Sequence, residues 1–152
     1  MKKIALVVGA TLAICGTAWA VASPYRTGTY QGSTHQGQPI AMKVGRGVMK
    51  GIAYQGNYRC TDQVNGKQYT LKNVQNQYGS APINSQQQVH EIYHTNNGQN
   101  VVKLFVQLNH GNAGGWFKQA FITHHHGHKL ECVTPGGQAT AAGKVFFSMH
   151  VQ

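Results

Sequence analysis

Acidic residues are almost absent from this sequence. Its 152 residues contain three carboxylate side chains, Asp62, Glu91 and Glu131, against 13 lysines and arginines. Calcium loops need several carboxylates at short spacing and glycoside hydrolysis needs a matched pair, so the composition argues against both activities. Since Asp62 is the sole aspartate and no G-x-S-x-G segment occurs, a serine hydrolase triad is also disfavoured.

Long apolar runs are also absent, apart from a short one near the amino terminus. Lys2-Lys3 precede an apolar run over residues 4–15, which is shorter than the ~20 residues that span a bilayer. Small residues follow it, and cleavage after Ala20 or Ala22 fits an A-x-A site. Residues 1–22 are therefore predicted to be a secretory signal peptide.

Few cysteines are present, and the predicted export decides what they do. Ile14 is too large for the position before a lipidated cysteine, so we favour a plain signal peptide over a lipoprotein signal at Cys15. Residues 23–152 would then lie in the periplasm or outside the cell, where Cys60 and Cys132 have only each other as partners. We expect a disulfide that closes a loop of about 70 residues and stabilises the fold by roughly 4 kcal/mol.

Positive charge is in excess, with a formal net charge of +10 before removal of Lys2 and Lys3. The basic residues are scattered singly, unlike a nucleic-acid-binding arm, and export also argues against a nucleic-acid partner. A diffuse positive surface favours anionic polymers, lipid head groups or a protein of the envelope or host. No transmembrane segment is predicted in residues 23–152.

Alternating apolar and polar residues predict strands along most of the chain. The clearest run is 102–108, where apolar residues occupy every second position, and shorter runs occur at 39–44, 48–54, 116–123 and 145–151. Gly and Asn separate these runs, and no long amphipathic helix or linker is evident. The sequence predicts one all-β domain, an antiparallel sandwich or barrel of about seven to nine short strands.

Residues 28–40 carry a more specific pattern. They read G-T-Y-Q-G-S-T-H-Q-G-Q-P-I, and Val44 and Val48 follow at the spacing of a hairpin. The segment resembles the opening of small secreted bacterial β-domains, which begin G-x-Y-x-G-x-T-x-Q-G-x-x-I and place a later cysteine about where Cys60 falls. The resemblance covers the first third of residues 23–152; it implies a β fold and no catalytic residue.

Residues 90–94 spell H-E-x-x-H, which is a zinc-binding motif when it lies on a helix. A helix over 86–96 would make His90 and His94 zinc ligands and Glu91 the base that activates the metal-bound water of a minimal metallopeptidase. In a strand the two histidines would be about 13 Å apart, too far to hold one ion.

The residues around this motif favour a strand. Residues 96–100, with Asn97-Gly98 at their centre, would join the motif to a strand at 101–108 as a hairpin, although Asn97-Gly98 could also end a helix. Glutamines stand where a zincin helix is normally apolar. β-forming residues lie within and beside the motif, namely Val89, Ile92, Tyr93 and Thr95. We therefore expect surface histidines on a strand and keep the metallopeptidase as the alternative.

A second histidine cluster occupies 124–128, where the sequence H-H-H-G-H predicts a turn at a sheet edge. The imidazoles of His124, His126 and His128 are candidate ligands for Zn²⁺ or Cu²⁺, held weakly; the alternative is an exposed polar loop. Taken together, the sequence predicts an exported, disulfide-bonded, basic β-domain that binds a partner, with weak metal capture as a secondary property and no assigned catalytic residue.

Overall fold

The structure is a computed structural model and describes residues 24–95, 97–135 and 142–152. The predicted signal peptide lies outside these ranges. Within these ranges the chain forms strands and no helix. It therefore has no helix there that is long and apolar enough to cross a membrane. The strands are β1 (Gly28–Thr34), β2 (Pro39–Gly45), β3 (Val48–Asp62), β4 (Gln68–Tyr78), β5 (Ala81–Pro82), β6 (Gln88–Thr95), β7 (Asn100–Asn109), β8 (Asn112–His125), β9 (His128–Val133) and β10 (Val145–Val151).

The strands form one antiparallel sheet that closes on itself, which confirms the predicted all-β class. The two longest strands, β3 and β8, each pair with two partners along one edge: β3 with β2 and β9, and β8 with β10 and β9. Because β1 joins β10 to β2, the pairings run β8–β10–β1–β2–β3–β9 and return to β8. β4 and β5 extend the sheet beyond β3, and β7 and then β6 extend it beyond β8.

The inward faces of every strand except β9 build a main core. In β7, Val102, Leu104, Val106 and Leu108 are each at most 3% exposed, as the period-two pattern predicts. Large side chains from the other strands pack against them, among them the fully buried Phe117 of β8. We call the part of the molecule around this core the main lobe.

A second, smaller core lies where β9 bridges the carboxyl-terminal halves of β3 and β8. It contains Tyr58, Cys60, Leu130 and Cys132, with Phe121 packed against them. The predicted Cys60–Cys132 disulfide is formed, and it joins residues directly opposite each other in the β3–β9 pair. We call β9 and the segments packed on it, 57–74 and 120–128, the disulfide lobe.

Gln119 connects the two lobes. It is 2% exposed, and its side-chain carbonyl accepts hydrogen bonds from the hydroxyls of Tyr54 (2.9 Å) and Tyr58. Its side-chain amide lies 2.9 Å from the Tyr78 hydroxyl and 3.0 Å from Asn76 Oδ1. Burial raises the pKa of Tyr54, Tyr58 and Tyr78, so these phenols stay protonated and able to donate at neutral pH.

Candidate functional site

The H-E-x-x-H segment lies on strand β6, as the surrounding residues indicated. His90 and His94 are exposed and four residues apart along an extended chain, a separation of about 13 Å that cannot serve one metal ion. Glu91 and Tyr93 lie on the opposite side of the strand, where burial and then the Glu91 charge raise the pKa of Tyr93 to about 12. The helix that the metallopeptidase alternative requires is not formed.

A turn lies before β6, where the metallopeptidase alternative needs the start of a helix. Asn84 Oδ1 accepts hydrogen bonds from the backbone N–H groups of Gln86 (3.0 Å) and Gln88 (2.9 Å). Gln87 adopts a positive φ of 60°, which an α-helix does not allow. The chain therefore enters β6 already extended.

The second histidine cluster forms a tight hairpin, as predicted. His126 and Gly127, with φ of 50° and 81°, make the two-residue turn between β8 and β9. His124 and His125 are neighbours on β8 and so point to opposite faces. Across the residues that the structure describes, no group of three His, Cys, Asp or Glu side chains is placed to hold a metal ion. Weak metal binding by His124, His126 and His128 stays a prediction.

His128 has another partner, which the sequence did not suggest. Its Nδ1 lies 2.8 Å from Oδ2 of Asp62, a residue that is 1% exposed at the end of β3. The backbone N–H of Val64 also donates to Asp62 (2.8 Å). That hydrogen bond and the contact with His128 lower the pKa of Asp62. These contacts fasten the hairpin to β3 within the disulfide lobe.

A row of rings crosses the solvent-facing side of β6, β7, β8 and β10, which we call the outer face. The strand register sets Phe105 opposite both His90 and Trp116, and Trp116 opposite Phe146. Ring centroids are 4.8 Å apart for His90–Phe105, 6.1 Å for Phe105–Trp116 and 6.2 Å for Phe146–His35. Directly paired residues share a face of the sheet, so these five side chains form one aromatic row.

On one side of the aromatic row lies an amide row. Gln88 and Gln107 are opposite each other, and their side chains are joined by a 2.9 Å hydrogen bond. Next in register come Gly114 and Ser148, and the missing side chain of Gly114 leaves open space beside Trp116. The resulting depression has a volume of about 460 Å³.

On the other side of the aromatic row lies a basic row. Lys103 of β7 is directly opposite Lys118 of β8, and Ile92 is the next residue across on β6. Lys144, just before β10, places its Nζ 4.5 Å from the centre of the Trp116 ring, a cation–π distance. The described outward positions of these four strands carry no acidic residue.

The outer surface of β1 to β4 is different. A larger trough of about 660 Å³ is lined there by Gln31, Ala41, Ala53 and Gln77, which the register aligns across the four strands. We call it the glutamine trough. Its lining consists of amides and small side chains together with Pro39, Ile40 and Tyr54, and it contains no charged group. Both surfaces can hold a ligand. Lys43 and Lys50 lie beside the glutamine trough, so both surfaces supply positive charge, but the outer face combines its lysines with a row of aromatic rings.

Sequence reasoning did not single out the aromatic row. Phe105 stood among the solvent-side residues of an alternating strand, between Lys103 and Gln107. Phe146, 54% exposed, lies between the buried Val145 and Phe147. The sequence signal for such a row is an aromatic residue at a strand position where the alternation predicts a polar one. The pairing register is then needed to show that these residues are neighbours.

No protein family, curated protein or solved structure matches this chain. The likeness of residues 28–48 to secreted bacterial β-domains therefore stays a prediction. The function has to be inferred from the charges, rings and amides of the outer face.

Proposed function

We propose that this protein is an exported, disulfide-bonded module that binds an anionic polymer of the envelope or of a host through its outer face. One observation carries the proposal: Lys103, Lys118 and Lys144 are grouped on a face without a carboxylate. Clustered cations that no acid neutralises attract and orient polyanions. Export itself rests on the predicted signal peptide, and mass spectrometry of protein recovered outside the cytoplasm tests it, with cleavage after Ala20 or Ala22 expected.

None of the few acids of the described chain lies at an outward position of β6, β7, β8 or β10. Glu131 of β9 borders that face, since it pairs with Ile122 of β8. Asp62 is buried against His128 in the disulfide lobe, and Glu131, in the same lobe, accepts a hydrogen bond from Gln63 (3.1 Å). Glu91 lies on the other side of β6. The His128–Asp62 contact is the single contact between a basic side chain and a carboxylate, within 4.0 Å, among the described residues, so no lysine or arginine there is paired with a carboxylate.

The lysine pair also gives a direct energetic reason for anion binding. Like charges directly opposite each other on adjacent strands destabilise a sheet by up to about 1 kcal/mol. The Lys103–Lys118 pair therefore opposes folding in the free protein. An anionic group placed between the two ammonium groups removes this repulsion, and the relief adds to the affinity.

The test compares two variants that lose the same charge. Lys103→Gln/Lys118→Gln removes the pair from the outer face, and Lys67→Gln/Lys72→Gln removes two lysines from the disulfide lobe. The probe is sodium alginate, measured by titration calorimetry at two salt concentrations. We expect the first variant to bind at least tenfold more weakly, with a shallower salt dependence, and the control to stay within about threefold of the parent protein.

Two outcomes contradict the proposal. An equal loss of affinity in both variants would mean that net charge alone attracts the polymer. No binding by the parent protein at low salt, either to alginate or to polyglutamate, would remove the anionic partner altogether.

A further inference from the structure

We infer that the anionic polymer is a polysaccharide, and that its sugar rings lie along the aromatic row. The inference rests on the proposed function and names the class of ligand for the same face. Its support comes from the rings and amides, which a partner recognised by charge alone would not use.

The aromatic row has the dimensions of a track for an extended chain. It crosses β6, β7, β8 and β10 and ends at His35, the residue that follows β1. Neighbouring strands lie about 4.8 Å apart, so a row over five strands is about 19 Å long. Several linked sugar rings fit along that length.

The rings are open to contact. Phe146 is 54% exposed, and Phe105 and Trp116 are half-buried beside the depression that Gly114 leaves. Adjoining aromatic rings at a surface are costly in water and mark a contact site. The C–H face of a pyranose ring is flat and apolar, and it stacks on such rings.

Each row of the outer face matches one component of an acidic polysaccharide. The amide row offers the donors and acceptors of Gln88 and Gln107 to sugar hydroxyls. The basic row offers Lys103 and Lys118 to carboxylate or sulfate groups. Lys144 places its ammonium group over one face of the Trp116 ring, so an acidic substituent of a sugar bound beside Trp116 is within reach of that charge.

The test separates the contribution of rings from that of charge. Alginate carries carboxylates on sugar rings, polyglutamate carries carboxylates without rings, dextran carries rings without charge, and oligo-dT carries phosphates with aromatic bases. We expect alginate to bind about tenfold more tightly than polyglutamate of equal charge, and more tightly than dextran or oligo-dT. Protein cleaved after Ala20 or Ala22 has lost Trp19, which leaves Trp116 as its fluorescent tryptophan; alginate should shift that fluorescence and polyglutamate should not.

Phe146→Ser tests the stacking directly, because an exposed residue can change without unfolding the core. Val64→Ser, in the disulfide lobe and 76% exposed, is the matched loss of an exposed apolar side chain. We expect Phe146→Ser to bring the affinity for alginate down about fivefold to tenfold, close to that for polyglutamate, and to leave polyglutamate binding unchanged. Val64→Ser should change neither.

The outcomes distinguish a failure of the polysaccharide inference from a failure of the proposed anionic partner. If alginate and polyglutamate bind equally, or if Phe146→Ser weakens the binding of both alike, the inference of a polysaccharide is wrong and the proposal of an anionic partner stands. Tighter binding of oligo-dT than of alginate also overturns the polysaccharide. If neither alginate nor polyglutamate binds, both ideas fail.

Discussion

The main lobe and the disulfide lobe are stabilised in different ways. The main lobe buries apolar side chains from nine strands against one another and contains no cross-link. The disulfide lobe has four buried residues in its core, two of them the bridged cysteines, and adds the Asp62–His128 contact at its edge. Where little apolar area can be buried, a covalent bond and a charged hydrogen bond supply the stability. The outer face lies on the main lobe, which has neither.

The largest effect should come from breaking the cross-link. Cys60→Ser/Cys132→Ser is expected to lower the free energy of unfolding by about 4 kcal/mol, since the unfolded chain regains the freedom of a long loop. Urea denaturation followed by circular dichroism measures the change. Alginate binding below the transition should persist, because the outer face belongs to the main lobe. A loss of binding in the folded variant would show that the two lobes are not separable in this way.

A cavity in the main core should cost about as much or slightly less. Leu108→Ala removes a fully buried side chain and is expected to destabilise the fold by about 3 kcal/mol, from lost burial and the cavity left behind. Ile92→Ala is the control, because Ile92 is 49% exposed, and it should cost under about 1 kcal/mol. If urea titrations gave similar losses of unfolding free energy for the two variants, the inward orientation of the Leu108 side chain would be contradicted.

The junction between the lobes should give an intermediate effect. Gln119→Met keeps the volume of the side chain but leaves the Tyr54 and Tyr58 hydroxyls without their buried acceptor. We expect a loss of about 2 kcal/mol in the free energy of unfolding. Gln77→Met, on the exposed lining of the glutamine trough, should be nearly neutral. A neutral Gln119→Met would mean that the tyrosines find other partners and that Gln119 does not hold the lobes together.

The smallest effect should be a change in the pH dependence of stability. The pKa of Asp62 is lowered in the folded protein, chiefly by the hydrogen bond from Val64 and then by His128. A lowered carboxyl pKa contributes stability above the pKa of the unfolded chain, near 3.9, which is lost as the pH falls through the folded value. Asp62→Asn should therefore flatten the fall of the melting temperature below about pH 4. If the melting temperature of Asp62→Asn fell below pH 4 as steeply as that of the parent protein, Asp62 would not contribute to the pH dependence of stability.

Much of the fold could be predicted because its signals are local. Alternation identified the strand at 102–108, Asn97-Gly98 indicated the hairpin before it, and counting cysteines paired Cys60 with Cys132. The segment 86–96 was ambiguous, since four-residue spacing suits both a helix and a strand. The β-forming residues around Ile92 favoured the strand correctly.

The candidate site could not be predicted in the same way. Phe105, Trp116 and Phe146 come from three strands, and the pairing register alone brings them together. The Asp62–His128 contact likewise joins residues that are far apart in the chain. The β10–β8 pairing adds Phe146 to the aromatic row, and the pairing of β9 with β3 and β8 brings His128 to Asp62. A local pattern does not state which strand will be its neighbour.

The most direct test of the account is to map where an acidic polysaccharide binds. Two-dimensional amide spectra of the labelled protein, titrated with alginate, report the location residue by residue. The account predicts that the largest shifts lie in 103–107, 114–118 and 144–148, which form the outer face. Shifts confined to the glutamine trough or to the histidine hairpin at 124–128 would contradict it.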